Sequence, residues 1–187
     1  ETLGRSDVLG TYFAFVSVLA IWGWIELAFL SGVITGPNKL SAPGDISEWE
    51  RFIRAWGTVA HHEILLFFML LGLFFISWDQ MNVFGIGTFV ILYFARISAK
   101  LNLFFGVPRV NTEFIPTRLI HMPSYFRKSK LNWFFPVSVT LLTFAVAYFI
   151  GRIYGAQTLG DTVGFTLLAA LSALALLEHW LMVLPLP

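Results

Sequence analysis

The residues with chemistry to offer are Glu26, His61, His62, Glu63, Arg96, Lys100, Glu178 and His179, and all of them interrupt or border long apolar runs. A charged side chain at membrane depth costs about 2.5–3.5 kcal/mol on insertion scales, so each needs a partner or a function. Their types allow two kinds of chemistry. Glu26, Glu63 and Glu178 can neutralise Arg96 and Lys100, with the histidines as hydrogen-bonding members of a structural network. Alternatively, His61, His62 or His179 can ligate a metal or tetrapyrrole, or a His or Glu can hold a quinone, among Trp22, Trp24, Trp56 and Trp180. A di-iron centre is disfavoured, because bundle sites of that type space Glu and His three residues apart so that both aim inward. In His62-Glu63 and Glu178-His179 the two are adjacent, about 100° apart around the helix. The absence of cysteine excludes disulfides, thiolate zinc sites, iron–sulfur clusters and thiol nucleophiles.

The elements that must position these groups are membrane helices. The 187 residues are 57% hydrophobic and 12% charged, against about a quarter charged in a soluble domain. Mean hydropathy is +0.76. A spanning helix needs about 20 mostly apolar residues, and the stretches 8–34, 61–78, 83–105, 133–154 and 162–184 qualify. The second extends backwards: Ser47 and Glu50 make a capping-box pattern after Pro43-Gly44. Ile46, Trp49, Phe52, Ile53, Trp56 and Val59 then recur at helical spacing. The expected fold is an all-α polytopic transmembrane bundle, a single membrane domain of about five spans plus an interfacial amphipathic helix. Gly57 allows a bend in the long second helix. Gly85 with Gly87, and Gly151 with Gly155, permit close helix packing. The Glu1 start and the Leu184-Pro185-Leu186-Pro187 end read as a fragment of a longer chain.

With five spans the connectors alternate sides. Lys39, Arg51, Arg54, Arg109, Arg118, Arg127, Lys128 and Lys130 fall on one side and only Arg5 and Arg152 on the other. Basic loops stay cytoplasmic, so connectors 36–60 and 106–132 are expected in the cytoplasm of a bacterial inner membrane. Trp49, Arg51, Arg54, Arg118, Tyr125, Arg127 and Lys128 make the expected partner surface there. Phe114, Ile115, Leu119, Ile120, Tyr125 and Phe126 suggest that the second connector rests on the headgroups, with His121 at its surface. This topology also puts the ionisable groups in one leaflet. At about 1.5 Å per residue, Glu26 lies roughly 15 Å from the cytoplasmic end of its span at Gly36. His61–Glu63 enter from the same side, and Arg96, Lys100, Glu178 and His179 lie in the last turns of their helices. A single polar layer argues against a transport path, which needs polar groups at the midplane and beyond. No P-loop, Gly-x-Ser-x-Gly or Gly-x-Gly-x-x-Gly supports nucleotide or hydrolase chemistry.

Several motifs carry a family resemblance. They are Trp22-Gly23-Trp24-Ile25-Glu26, Ser31-Gly32-Val33-Ile34-Thr35-Gly36-Pro37, His61-His62-Glu63 and Arg96-Ile97-Ser98-Ala99-Lys100-Leu101-Asn102. With them stand Ser124-Tyr125-Phe126-Arg127, Phe135-Pro136-Val137-Ser138 and Leu177-Glu178-His179-Trp180. Together, over nearly the whole chain, these resemble the PuhE family of photosynthetic complex assembly proteins. The resemblance implies a location in the cytoplasmic or intracytoplasmic membrane of a phototroph. It also implies a role in biogenesis of the reaction centre and light-harvesting apparatus, with photosynthesis biogenesis proteins as partners. An alternative it allows is an accessory subunit of the aerobic di-iron oxidative cyclase of bacteriochlorophyll synthesis, anchoring that enzyme and passing it electrons as quinol, or porphyrin substrate. Haem, Mg-porphyrin or bacteriochlorophyll would be the tetrapyrrole in question. No catalytic residue carries over from the family.

Overall fold

The computed structural model describes residues 3–184, so Glu1 and the end of the Leu-Pro-Leu-Pro motif at 185–187 lie outside the described residues. Five long helices follow one another: α1 (Val8–Leu30), α2 (Glu48–Ser77), α3 (Phe84–Phe105), α4 (Phe134–Tyr154) and α5 (Leu159–Leu181). Each is long and apolar enough to cross a membrane. Two short 3-10 turns, Thr117–Leu119 and Met122–Tyr125, shape the α3–α4 connector. Among the described residues there is no strand, only a single parallel bridge between Val107 and Lys128.

Side-chain caps set several helix starts. The Asp7 carboxylate accepts from the Gly10 amide (2.8 Å) at the head of α1. Thr158 accepts from the Asp161 amide (3.1 Å) at the head of α5. Ser47 accepts from the Glu50 amide (3.2 Å) at α2, but Glu50 turns to Arg54 (2.9 Å) and leaves the capping box half-made. Asn132 Oδ1 accepts from both the Phe134 and Phe135 amides at 2.9 Å, starting α4.

One boundary differs from the hydropathy reading, and the expected backward extension of the second span is present. The first span ends at Leu30 rather than residue 34, because Gly32 takes φ +76° and the Val33 amide folds back to the Ala28 carbonyl (2.9 Å). That is a Schellman stop, which an apolar run does not reveal. The amphipathic segment and the second span form one continuous helix of 30 residues. At about 45 Å it exceeds the hydrocarbon thickness, so its first turns project from the apolar layer.

Helix α3 is central and touches all four others, while α4 and α5 form the most closely packed pair. Val18, Ile25, Leu66 and Phe89 build a core between α1, α2 and α3. Phe84, Phe165 and Leu168 build a second between α3 and α5. Gly85 faces Ala14 and Val18, with the methyl carbons of those side chains 3.5–3.6 Å from where a Cβ would stand. Gly87 likewise meets Leu168 at 3.0 Å. Gly151 has open space around it and Gly155 meets only its own helix, so the expected second packing pair is absent. Phe13, Phe68, Phe75, Phe94, Phe144 and Leu174 stand exposed around the bundle. Such a surface suits lipid, and the helices satisfy their own backbone as lipid requires.

Candidate functional site

The site begins with a backbone crossing. Residues 35–38 run back along α2: the Asn38 amide donates to the Gly57 carbonyl and the His62 amide donates to the Thr35 carbonyl, both at 3.0 Å. A Cβ on Gly36 would collide with the Gly57 carbonyl oxygen and the Thr58 backbone, so only glycine allows this approach. Gly57 is therefore a contact point. The consequence is local: the His62 amide is held by a segment outside its helix, and the ring beneath it is pinned.

That ring is fully buried and lies 4.5 Å, centroid to centroid, from Phe29 of α1. Both of its nitrogens face carboxylates. Nδ1 stands 3.3 Å from Glu63 Oε1 and Nε2 stands 3.6 Å from Glu26 Oε1. Each carboxylate then meets a cation from α3. Arg96 Nη2 donates to Glu26 Oε2 at 2.9 Å, and Lys100 Nζ pairs with Glu63 Oε1 while reaching within 3.5 Å of His62 Nδ1. Lys100 also lies 5.5 Å over the Phe29 ring. Two carboxylates and two fixed cations cancel, so three helices are tied by a network that needs no further ion. Arg96 and Lys100 are four residues apart, one turn, which lets α3 serve both acids from one face.

The remaining sequence candidates go elsewhere. His61 and Glu178 are exposed, the former because adjacent helical positions diverge by about 100°. Glu178 still lines a cleft of about 300 Å³ with Trp22, Glu26, Arg96, Leu171 and Leu174. His179 is fully buried and bonds to α3: its Nδ1 lies 2.8 Å from the Ala175 carbonyl and its Nε2 2.8 Å from Ser98 Oγ. A carbonyl can only accept, so Nδ1 carries the proton and Ser98 donates to Nε2. Of the tryptophans, Trp22 packs edge-to-face on Phe89 (5.3 Å) beside the cleft, and Trp180 packs on Phe135 (5.6 Å). Trp24 is exposed, and Trp56 lines a separate hollow of about 140 Å³ beside Glu63, Lys100 and Phe104. Among the described residues no group of three or more His, Cys, Asp or Glu is placed to hold a metal ion.

Uncharged residues complete the layer, and charge-based reading overlooks them. Asn102 is fully buried; its Nδ2 donates to the Ser98 carbonyl (3.0 Å) and to Ser138 Oγ (2.9 Å). Asn132 Nδ2 donates to Asn102 Oδ1 (3.1 Å) and to the Gly106 carbonyl (2.7 Å). The signal for Asn102 was an amide within an apolar run, one turn after Ser98.

The two connectors on this side close into a cap. Tyr125 is buried; its hydroxyl donates to the Leu40 carbonyl and accepts from Asn38 Nδ2, both at 2.9 Å. Arg51 donates to the Tyr125 carbonyl (2.7 Å) and the Phe104 carbonyl (3.1 Å), with its guanidinium 3.8 Å over the Phe104 ring. Glu48 bridges Arg51 and Arg127, and Arg54 pairs with Glu50 at 2.8 Å. Tyr125 and Arg51 therefore fasten the cap and are not part of a free surface, whereas Trp49, Arg118 and Lys128 are exposed. Leu119 is buried against Phe29 and Val59, while Phe114 and Ile120 point outward. His121, expected at the surface, is buried, and its pKa is pushed below the ordinary value by that burial and by Lys39, against a backbone hydrogen bond at Asn38.

Comparison with known proteins places the chain in a family without naming a chemistry. The chain is 53% identical over 182 residues to a Rhodobacter capsulatus protein described as "Uncharacterized 30.4 kDa protein in puhA 5'region". The match takes in 97% of this chain and 66% of that protein's length, so the chain spans just under two thirds of its relative. No solved structure matches. The sequence profile described as "Protein of unknown function (DUF3623)" matches residues 1–187, and the chain belongs to that family.

Proposed function

We propose that this protein is an integral-membrane factor in the biogenesis of the bacterial photosynthetic apparatus, with its capped, basic face in the cytoplasm. The observation that carries this reading is its 53% identity to a protein encoded in the puhA 5' region, a setting that fits the PuhE resemblance. The polar layer fits a structural part in this role, because Glu26 and Glu63 are paired with Arg96 and Lys100 and so tie three helices together. The cap supplies the partner-facing side, with Trp49, Arg118 and Lys128 exposed on it. Those same residues favour a second reading, in which a soluble di-iron cyclase docks on this face and the protein anchors it.

Affinity purification of the full-length protein from phototrophic membranes in mild detergent tests both. Reaction-centre or light-harvesting assembly proteins in the eluate support the first reading, and the cyclase supports the second. A preparation holding neither, from cells actively making pigment, overturns both. The orientation has its own test, because the chain has no cysteine. Ser41→Cys and Gln157→Cys report from opposite ends of the bundle, and a membrane-impermeant maleimide applied to intact spheroplasts should label only Gln157→Cys. The reverse labelling inverts the topology.

A further inference from the structure

The ion-paired layer borders two hollows, and the one reached by Glu26 and Arg96 is a cleft of about 300 Å³ between α1, α3 and α5. Its walls have unequal character. Trp22, Leu171 and Leu174 make an apolar slot, and Glu26, Arg96 and Glu178 stand around its polar part. Arg96 is only partly covered, and its Nε is buried with no hydrogen-bond partner while Nη2 is taken by Glu26. Glu26 Oε1 is likewise buried without a hydrogen bond, its nearest polar neighbour being His62 Nε2 at 3.6 Å. Leaving such groups unmet at membrane depth is costly. The cleft is thus bordered by the partly exposed Arg96 guanidinium and the exposed Glu178 carboxylate, beside buried polar atoms of the layer that lack a hydrogen bond. On its outer side Leu174 is 62% exposed, on a helix long and apolar enough to cross a membrane.

We propose that this cleft binds the head group of a lipid-soluble quinol or quinone, which enters sideways from the membrane. The ligand must offer an oxygen to Arg96 and, in its reduced form, a hydroxyl proton to Glu178. A quinol carries such groups on opposite sides of one flat ring, and that ring suits a slot walled by Trp22 and leucines. A volume of about 300 Å³ lies at the lower end for small-molecule sites, which fits a single ring and is too small for a four-pyrrole macrocycle. The isoprenoid tail stays in lipid along Leu174. A phospholipid head group fits poorly, because its phosphate would face two carboxylates. The assignment goes beyond the biogenesis role and does not depend on it.

The test uses the full-length protein in lipid nanodiscs, titrated with decylubiquinone and, after reduction, decylubiquinol. Binding is read by equilibrium partition of the quinone. Saturable binding is expected, weakened at least tenfold by Leu174→Trp, which fills the slot from its lipid side, and by Arg96→Leu. Glu178→Gln, at an exposed position, should weaken the quinol more than the quinone. Thermal midpoints by intrinsic fluorescence identify any variant that misfolds, and the exposed Leu174 and Glu178 positions keep the test decisive if Arg96→Leu does. Absence of saturable binding by the unmodified protein overturns the assignment. So does binding that Leu174→Trp leaves unchanged in a folded protein.

Discussion

His62 Nε2 of α2 and Glu26 Oε1 of α1 face each other at 3.6 Å in the interior of the bundle. The two helices also meet through Ile25 and Leu66 in the apolar core and through the Phe29 ring against Val59 and His62. This polar facing adds to those apolar contacts a charged group of α1 set against the buried imidazole of α2. It exists because the 35–38 segment holds the His62 backbone in place from outside the helix.

Loss of either member of the pair, or of Glu178 in the cleft beside it, should show in function before it shows in abundance. Glu26→Gln, His62→Ala and Glu178→Gln are each expected to lower pigment formation in a phototrophic host more than they lower protein level. Bacteriochlorophyll per cell and immunoblot intensity measure the two. Parallel decline of both would return the layer to a purely structural role.

The Lys100–Glu63 pair permits a double-mutant cycle. Lys100→Met leaves a carboxylate that is 5% exposed without its cation, at a cost of about 3–5 kcal/mol. Lys100→Met with Glu63→Leu removes both charges and should recover most of that loss. Unfolding in detergent–SDS mixtures gives the comparison. A double variant as unstable as the single one would mean that the charges are not acting as a pair.

Backbone proximity at Gly36 gives a sharper contrast. Gly36→Ala places a methyl group against the α2 backbone and should cost about 1–3 kcal/mol or more, with loss of cap protection from proteolysis. Gly23→Ala, where nothing lies within 4 Å, should be neutral or slightly stabilising. Equal behaviour of the two variants would contradict the crossing of residues 35–38 over α2.

The cap should loosen in acid through His121. Its pKa is depressed by burial, so the folded cap binds a proton less readily than the unfolded chain. Its contribution to stability is complete above the unfolded value near 6.5 and falls away as pH drops through the window between that value and the folded one. Hydrogen exchange of residues 117–126, corrected for intrinsic rates, should accelerate between pH 7.5 and 5.5. His121→Leu should remove most of that pH dependence.

Much of this protein was legible without coordinates. The five apolar runs determined the helices, because a chain this poor in charge satisfies its backbone in lipid only by coiling on itself. The spacing of the charged residues along those runs also determined that one end of the bundle would be polar, since spans alternate in direction. Tertiary structure alone decided which of those residues meet. Helical phase separates His61 from His62 and Glu178 from His179, and sequence order cannot say which phase faces a neighbour. Hydropathy likewise could not reveal that Gly32 ends α1 early, or that Gly36 then carries the chain back against α2. The reason is that both are backbone events. They depend on a positive φ and on a carbonyl one atom's width away, and from them follow the placement of His62, the pairing of Glu26 with Arg96 and the cleft beside it.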